Sequence, residues 1–71
     1  MKPEPAFIVA NGQRKEVDLP CSVANFVKSC GWKATQVVVE HNGFVVGRGE
    51  LDRVMLKDGD QIEIIVPVAG G

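Results

Sequence analysis

Two short segments with apolar side chains, separated by a polar turn, lie within the first twenty residues of the chain. Residues 7–10 are apolar and end in Asn11-Gly12, and residues 16–19 then alternate polar and apolar side chains. Asn-Gly supplies the two positive-φ residues of a type I′ turn, although the polar residues 13–15 leave the loop length open. Pro20 lacks an amide hydrogen and therefore ends the second strand. This pattern predicts a β-hairpin.

The next segment changes to the spacing of a helix. Apolar side chains recur at i, i+3, i+4 and i+7, which places them on one helical face. They are Val23, Phe26, Val27 and Cys30. Ser22 precedes this run as an N-cap, and Gly31 follows it as the left-handed residue that ends many helices. We predict a helix of about two to three turns, in which Cys30 is a small buried hydrophobe.

β-Branched residues dominate the second half of the chain. Residues 37–41 begin with three valines and end before a second Asn-Gly pair, so they are predicted as a strand, with residues 44–46 as a short fourth strand. Residues 47–56 have no clear period and are predicted as an irregular link. A turn at residues 57–60 precedes the last strand, residues 61–66. Its alternation places Ile62, Ile64 and Val66 on one face, and Glu63 and Ile65 on the other.

A hairpin, a helix, a strand pair and a final strand in this order share one sheet that the helix covers. They predict an α+β chain with a β-grasp, ubiquitin-like fold, in which a mixed sheet of roughly four to five strands packs on one main helix. Residues 1–6 are expected to be a flexible N-terminal lead-in, residues 7–67 the β-grasp domain and residues 68–71 a flexible C-terminal tail.

Composition narrows the class of function. The 71 residues are 45% hydrophobic and 24% charged, with a formal net charge of −1, and show no bias towards nucleic acid or membranes. So short a domain has little volume for an active-site cleft, which disfavours a self-contained enzyme. No stretch has the length of a signal peptide or a membrane span, and Cys21 and Cys30 lie too far apart for a disulfide. A cytoplasmic protein is therefore expected.

No familiar catalytic set of side chains is present in the sequence. The single histidine, His41, is interpreted as a solvated surface residue. Asp58 and Asp60 are interpreted as parts of a turn that positions the last strand, with metal binding as the less favoured alternative. Trp32 is expected to pack at the end of the helix. Cys21 precedes the helix N-terminus, where a thiol pKa can fall, but a reactive role is the minor alternative.

The end of the sequence, Gly70-Gly71, is the feature that indicates a chemistry. A chain of average composition ends in two glycines about once in 200 cases, and here the pair comes shortly after the last strand, preceded by Ala69. Small side chains allow an extended tail to enter a partner's active site. The Gly71 carboxylate, ionised at neutral pH, is then the predicted nucleophile for the α-phosphate of ATP. A frayed tail without function is the alternative.

Several motifs together resemble the ThiS family of sulfur carriers over residues 7–71. The specific motif is Gly59-Asp60-Gln61-Ile62-Glu63-Ile64, followed a few residues later by Gly70-Gly71. Weaker matches are Asn11-Gly12, the apolar residues of the helix, Val39-Glu40-His41-Asn42-Gly43 and Val45-Val46. Family members usually carry Pro-Arg and then an aromatic residue after the valine pair, whereas Gly47-Arg48 and Leu51 occupy that stretch here.

The resemblance implies a carrier without catalytic residues of its own. A ThiF-type enzyme would adenylate the Gly71 carboxylate with ATP and Mg²⁺, and sulfur transfer would give a thiocarboxylate. A ThiG-type thiazole synthase would then accept the sulfur in thiamin biosynthesis. The carrier itself is expected to bind no cofactor or metal. A MoaD-like carrier for molybdopterin and a ubiquitin-like modifier or binding module are the alternatives.

The final strand also suggests where a partner binds. Ile65 is an apolar side chain on the face opposite Ile62 and Ile64, next to the charged Glu63. We predict that Ile65, with Phe44 as a second candidate, belongs to an apolar patch that docks the activating enzyme. The alternative is that Ile65 packs beneath a loop or the helix.

Overall fold

The computed structural model describes residues 4–68 as one sheet covered by one α-helix. The elements are β1 (Glu4–Ala10), β2 (Gln13–Leu19), α1 (Val23–Ser29), β3 (Val38–His41), β4 (Phe44–Val46) and β5 (Gln61–Ile65), with 3₁₀ turns at Ala34–Gln36 and Arg48–Glu50. The five strands lie in the order β2-β1-β5-β3-β4. β1 and β5 are parallel, and the other neighbouring pairs are antiparallel. The predicted α+β β-grasp fold is confirmed.

The first hairpin is longer and tighter than predicted. Asn11 and Gly12 have φ values of +50° and +78° and form a two-residue turn, so β2 begins at Gln13 and not at residue 16. At its other end β1 begins at Glu4, so residues 4–6 belong to the sheet and not to a lead-in. The sheet accommodates Pro5 because its nitrogen, two residues before the Phe7 amide, points away from β2 and needs no ladder hydrogen bond.

Helix α1 has the predicted cap at each end. Ser22 Oγ accepts a hydrogen bond of 3.0 Å from the Asn25 amide, and Gly31 has a left-handed φ of +90°. Cys30 differs from its prediction, because the helix ends at Ser29 and Cys30 is the C-cap residue. The stripe that faces the sheet ends at Val27, so the Cys30 thiol is exposed and not buried.

The core lies between α1 and the inner face of the sheet, which is the face towards the helix. Its largest fully buried side chains are Ile8, Val23, Val27, Val37, Val39 and Ile62. The irregular link after β4 adds Leu51 and Leu56 to this core, so Leu51 has a packing role. The link is tied to α1 by hydrogen bonds from the Val23 and Ala24 amides to two of its carbonyl groups.

Strand β5 lies in the middle of the sheet, between β1 and β3, and follows the predicted alternation over most of its length. Ile62 is buried and Ile64 half-buried on the inner face, whereas Glu63 and Ile65 are exposed on the outer face. Val66 was predicted to continue the inner face. It lies beyond the strand end and is exposed, because pairing with β3 stops at Ile65.

Candidate functional site

The predicted carrier tail begins where β5 leaves the sheet. β5 ends at Ile65, and residues 66–68 follow as exposed residues outside any strand, with 91% of Val68 exposed. The structure therefore describes the anchor from which the tail starts. The positions predicted to take part in the reaction lie outside the described residues, and their roles stay predictions. They are Ala69, Gly70 and Gly71.

Asn11 fixes the C-terminal end of β5. Its backbone amide donates to the Ile62 carbonyl at 2.9 Å. Its side chain accepts a hydrogen bond from the Ile64 amide at 2.7 Å and donates to the Ile64 carbonyl at 3.1 Å. The carboxamide thus extends the short parallel ladder of β1 and β5, in which Val9 pairs with Gln61 and Ala10 pairs with Ile62. Ile64 is held immediately before the chain departs from the sheet.

Asn42 holds the other end of the same strand. It lies in the turn between β3 and β4 with a φ of +51°. The Asn42 amide donates to the Gln61 carbonyl, and the Gln61 amide donates to Asn42 Oδ1, both at 2.8 Å. Both Asn-Gly turns therefore place an asparagine side chain against β5, and the strand that leads to the tail is anchored at its two ends. The two Asn-Gly pairs in the sequence indicate turns but do not reveal these contacts with β5.

Asp60 joins the β3–β4 turn to the start of β5. Its Oδ2 accepts hydrogen bonds from the Lys57 amide and from His41 Nε2, both at 2.8 Å, and its Oδ1 accepts one from Asn42 Nδ2 at 3.1 Å. Burial raises the pKa of Asp60, but these hydrogen bonds and the charge of His41 outweigh burial, so the pKa is lowered overall. His41 is half-buried in this network and is not the solvated surface residue that was predicted.

The contacts or exposure of Asp58, Cys21 and Trp32 indicate structural roles and not catalytic or ligand-binding ones. Asp58 Oδ1 accepts a hydrogen bond of 2.8 Å from the Phe7 amide, which ties the turn before β5 to β1. Cys21 is half-buried, and burial raises the pKa of its thiol, the opposite of what a reactive thiolate needs. Trp32 follows the helix and is exposed, so it packs there only in part.

The described residues, 4–68, contain neither a group of metal ligands nor a helix that could cross a membrane. No three His, Cys, Asp or Glu side chains in this part of the chain are grouped so that they could hold a metal ion. None of its helices combines the length and apolarity required to cross a bilayer.

The outer face of the sheet, which points away from α1, carries apolar and acidic side chains together. Cross-strand pairing places Ile65 beside Val38, and it places Glu40 between Glu63 and Val45. Ile65 is 42% exposed, so it does not pack beneath a loop or the helix. We call these five residues the outer patch: Val38, Glu40, Val45, Glu63 and Ile65. The binding of a partner there stays a prediction.

Phe44 does not join the outer patch. Its cross-strand partner is His41, which also pairs with Ile62, so Phe44 lies on the inner side of the sheet. It is 79% exposed and lines a shallow depression together with Val46 and Val54, among others. Ile65 and Phe44, the two predicted partner-binding residues, therefore lie on opposite faces and do not form one patch.

Known proteins are similar to this chain in both sequence and fold. The sequence model of the ThiS family matches residues 8–71. The crystal structure of the thiamine biosynthesis protein ThiS from Geobacter metallireducens is 31% identical, with a TM-score of 0.78, and the match covers 92% of this chain and 99% of that chain. An NMR solution structure of a thiamine biosynthesis protein from the same organism is 31% identical, with a TM-score of 0.75, and the match covers 92% of this chain and 87% of that chain.

One sequence relative is much longer than this chain. The thiazole synthase of Magnetococcus marinus is 31% identical over 61 residues, which are 86% of this chain and 19% of that protein. This chain thus spans about a fifth of that relative's length. The family match extends over nearly the whole sequence, and similar solved structures share the arrangement of one helix on a mixed sheet. The chain belongs to the ThiS family.

Proposed function

We propose that this protein is a sulfur carrier of thiamin biosynthesis and that the Gly71 carboxylate is the group that carries the sulfur. The observation that carries the proposal is the ThiS family match, which runs through residue 71 and includes Gly70-Gly71. The exit of the chain from β5 into exposed residues 66–68 supports it. A tail that starts in solvent can extend into the active site of another protein.

The proposed chemistry has two steps, both in the active sites of partner enzymes. First, an oxygen of the Gly71 carboxylate attacks the α-phosphorus of ATP, pyrophosphate leaves and an acyl-adenylate forms, with Mg²⁺ offsetting the charge of the nucleotide. Second, sulfur attacks the acyl carbon and displaces AMP. Hydrosulfide gives the thiocarboxylate directly, whereas a persulfide donor gives an acyl disulfide whose S–S bond a thiol reductant then cleaves to the thiocarboxylate and the donor thiol. A terminal carboxyl has an ordinary pKa of about 3.5, so it enters the first step ionised.

In this chemistry the carrier's part is to position the start of its tail. Asn11 and Asn42 hold the two ends of β5, so Ile65 is a fixed starting point for the tail. The six residues that follow Ile65, residues 66–71, reach at most about 22 Å when extended. A partner that binds the sheet must therefore hold its ATP within that distance of Ile65.

Two partner enzymes follow from the two steps. A ThiF-type enzyme supplies the ATP and performs the adenylation, and a ThiG-type thiazole synthase accepts the sulfur. The thiazole synthase of Magnetococcus marinus supports the second assignment, because a segment similar to this chain forms part of that protein. Covalent linkage of a carrier to its acceptor is expected to keep the two close together.

Intact mass spectrometry tests the proposal. The protein, produced so that it ends at Gly71, is incubated with a ThiF-type enzyme from the same genome, ATP, Mg²⁺ and a sulfur donor. The expected product is heavier by the exchange of one oxygen for one sulfur, and omission of ATP is the control. An unchanged mass would count against the carrier function, provided that the enzyme adenylates another Gly-Gly carrier. Conjugates to lysine side chains would instead identify a ubiquitin-like modifier.

A further inference from the structure

Two glutamates face each other in the middle of the outer patch. Glu40 and Glu63 are direct partners in the antiparallel register of β3 and β5, and both point away from α1. Direct partners of this kind have Cβ atoms about 4.5–5.5 Å apart, and like charges at this spacing destabilise a sheet. The folded protein therefore contains a local repulsion on an otherwise regular strand pair.

The described part of the chain does not offset this repulsion with a cation. Within residues 4–68, the structure contains one side-chain ion pair, which joins His41 to Asp60. His41 pairs with Ile62 and so lies on the inner side of the sheet, away from the two glutamates. Glu40 and Glu63 are thus available to a positive charge from another molecule.

Exposed apolar side chains border the glutamate pair. Val45 is the neighbour of Glu40 on β4 and is 67% exposed, and Ile65 lies two residues from Glu63 on β5. Two carboxylates with aliphatic neighbours match an arginine, because a guanidinium has five donors in a planar fork and is more weakly hydrated than an ammonium. Arginine is also enriched in protein interfaces, where apolar contacts exclude water around it.

We propose that the outer patch docks the adenylating enzyme and that an arginine of that enzyme binds between Glu40 and Glu63. This inference rests on the proposed function, since it requires an enzyme that receives the tail. Ile65 belongs to the patch and is also the last residue of β5, so an enzyme bound there is next to the start of the tail. Eight residues lead from Glu63 to Gly71, and each spans at most about 3.6 Å, so the two Cα atoms lie within about 29 Å of each other when the tail is in the enzyme's active site.

Three variants separate binding from stability. Glu40→Gln and Glu63→Gln each remove one charge, and Glu63→Lys converts the repulsive pair into an attractive one. Glu4→Gln is the matched control, because Glu4 is an exposed strand residue roughly 23 Å from Glu63 along the strand direction. Each variant is measured by thermal denaturation and by calorimetric titration with the ThiF-type enzyme at low and at physiological salt.

We expect the variants to keep or raise the melting temperature while they weaken binding to the enzyme. All three variants of the glutamate pair should melt at or above the parental temperature, because a repulsion is removed. The Kd for the enzyme should rise about tenfold for each glutamine variant, and further for Glu63→Lys. Glu4→Gln should match the parent in both measurements, and the parental Kd should rise with added salt. If Glu63→Lys binds the enzyme with the same Kd as the parent, the inference is overturned.

Pyrophosphate exchange distinguishes failure of this inference from failure of the proposed function. If the parental protein supports exchange but Glu63→Lys binds the enzyme equally well, docking occurs elsewhere and the carrier function stands. If the parental protein supports no exchange with an enzyme that adenylates another Gly-Gly carrier, both proposals fail. Loss of binding to the thiazole synthase alone assigns the outer patch to the acceptor, and loss of self-association assigns it to a second copy. Either result overturns the inference.

Discussion

A single buried carboxylate, that of Asp60, connects the β3–β4 turn, the turn before β5 and β5 itself. Its three hydrogen bonds come from the Lys57 amide, His41 and Asn42. The pKa of Asp60 is lowered because the folded protein stabilises the ionised form more than the unfolded chain does. If this carboxylate loses its charge, its three hydrogen-bond donors no longer have an ionised acceptor. The resulting loss in the free energy of unfolding is larger than the net contribution of intact hydrogen bonds, because buried donors are left poorly satisfied.

Asp60→Asn is expected to lower the free energy of unfolding by about 2 kcal/mol at neutral pH. The lowered pKa gives the sign of the pH dependence. The stabilisation is complete above the unfolded pKa of about 3.9 and is lost as the pH falls through the lower folded pKa. Urea denaturation at several pH values should therefore show the parent and the variant converging in acid.

The exposed Asp52→Asn is the control for Asp60→Asn and should change stability by less than about 0.5 kcal/mol. A difference between parent and Asp60→Asn that stays constant from neutral pH to below about pH 3.9 would contradict the role of the ionised carboxylate.

Asn11→Gly tests whether the asparagine side chain holds the end of β5. Glycine adopts the positive φ of this position readily, so the substitution removes mainly the two hydrogen bonds to Ile64. We expect a loss of about 1–2 kcal/mol in the free energy of unfolding and faster hydrogen exchange at the Ile64 amide. Asn11→Ala adds the strain of a positive φ and should be less stable by about a further 1 kcal/mol. Unchanged protection of the Ile64 amide in Asn11→Gly would show that the side chain does not hold the strand in solution.

At the scale of whole elements, apolar spacing was enough to predict each strand and the helix, because the face that an element buries is a local property of the sequence. The errors concern ends and distant contacts. Cys30 fits the i+7 position, yet the helix ends before it, and Gly31 makes Cys30 the cap. The partner of His41 is 19 residues away, and the partner of Asn11 is 53 residues away, so no local pattern indicates either contact.

For the candidate site too, the sequence predicts which face of a strand a residue lies on but not which residues of other strands lie beside it. Alternation within β5 correctly places Ile65 on the exposed face. Whether Ile65 and Phe44 share a surface depends on the register of β5, β3 and β4, which the sequence of a single strand does not contain. For the same reason, the sequence does not indicate that Glu40 and Glu63 are cross-strand neighbours, whereas the register of β3 and β5 shows it.

The separation of Ile65 and Phe44 leads to a paired test of the two faces. Ile65→Asp and Phe44→Asp both replace exposed apolar side chains, so both proteins should remain folded. Ile65→Asp should lower the rate of adenylation about tenfold or more, because it places a charge in the apolar border of the outer patch, whereas Phe44→Asp should have a smaller effect. Pyrophosphate exchange and thermal melts provide the two measurements.

Two outcomes of this comparison would contradict the assignment of the outer patch. A large fall in the melting temperature of Ile65→Asp would show that this residue belongs to the core. An equal or greater loss of adenylation in Phe44→Asp would assign docking to the depression on the inner side of the sheet, which Phe44 lines.

In the molecule as a whole, stability and the proposed reaction belong to different parts of the chain. The buried core and the side chains packed against it extend from β1 to Ile64, and no residue from Ile65 to Val68 belongs to them. The reaction is proposed at Gly71, six residues beyond the end of β5. A substitution in the core should therefore change activity through the folded fraction, whereas a change in tail length should act on activity directly.

Deletion of Gly71, or addition of one residue after it, is expected to abolish sulfur transfer while barely changing stability. Stability is spared because the described core ends before the tail. Activity is lost because one residue shifts the carboxylate by about 3.3 Å, and a misplacement of about 1 Å can cost about a hundredfold in rate. The deletion leaves Gly70 with a competent carboxylate, so the loss reports position and not a missing group. Thermal melts and pyrophosphate exchange are compared for the parent and both variants. Exchange at the parental rate in both variants would contradict the dependence of the reaction on tail length, and a large fall in melting temperature would show that the tail is structural.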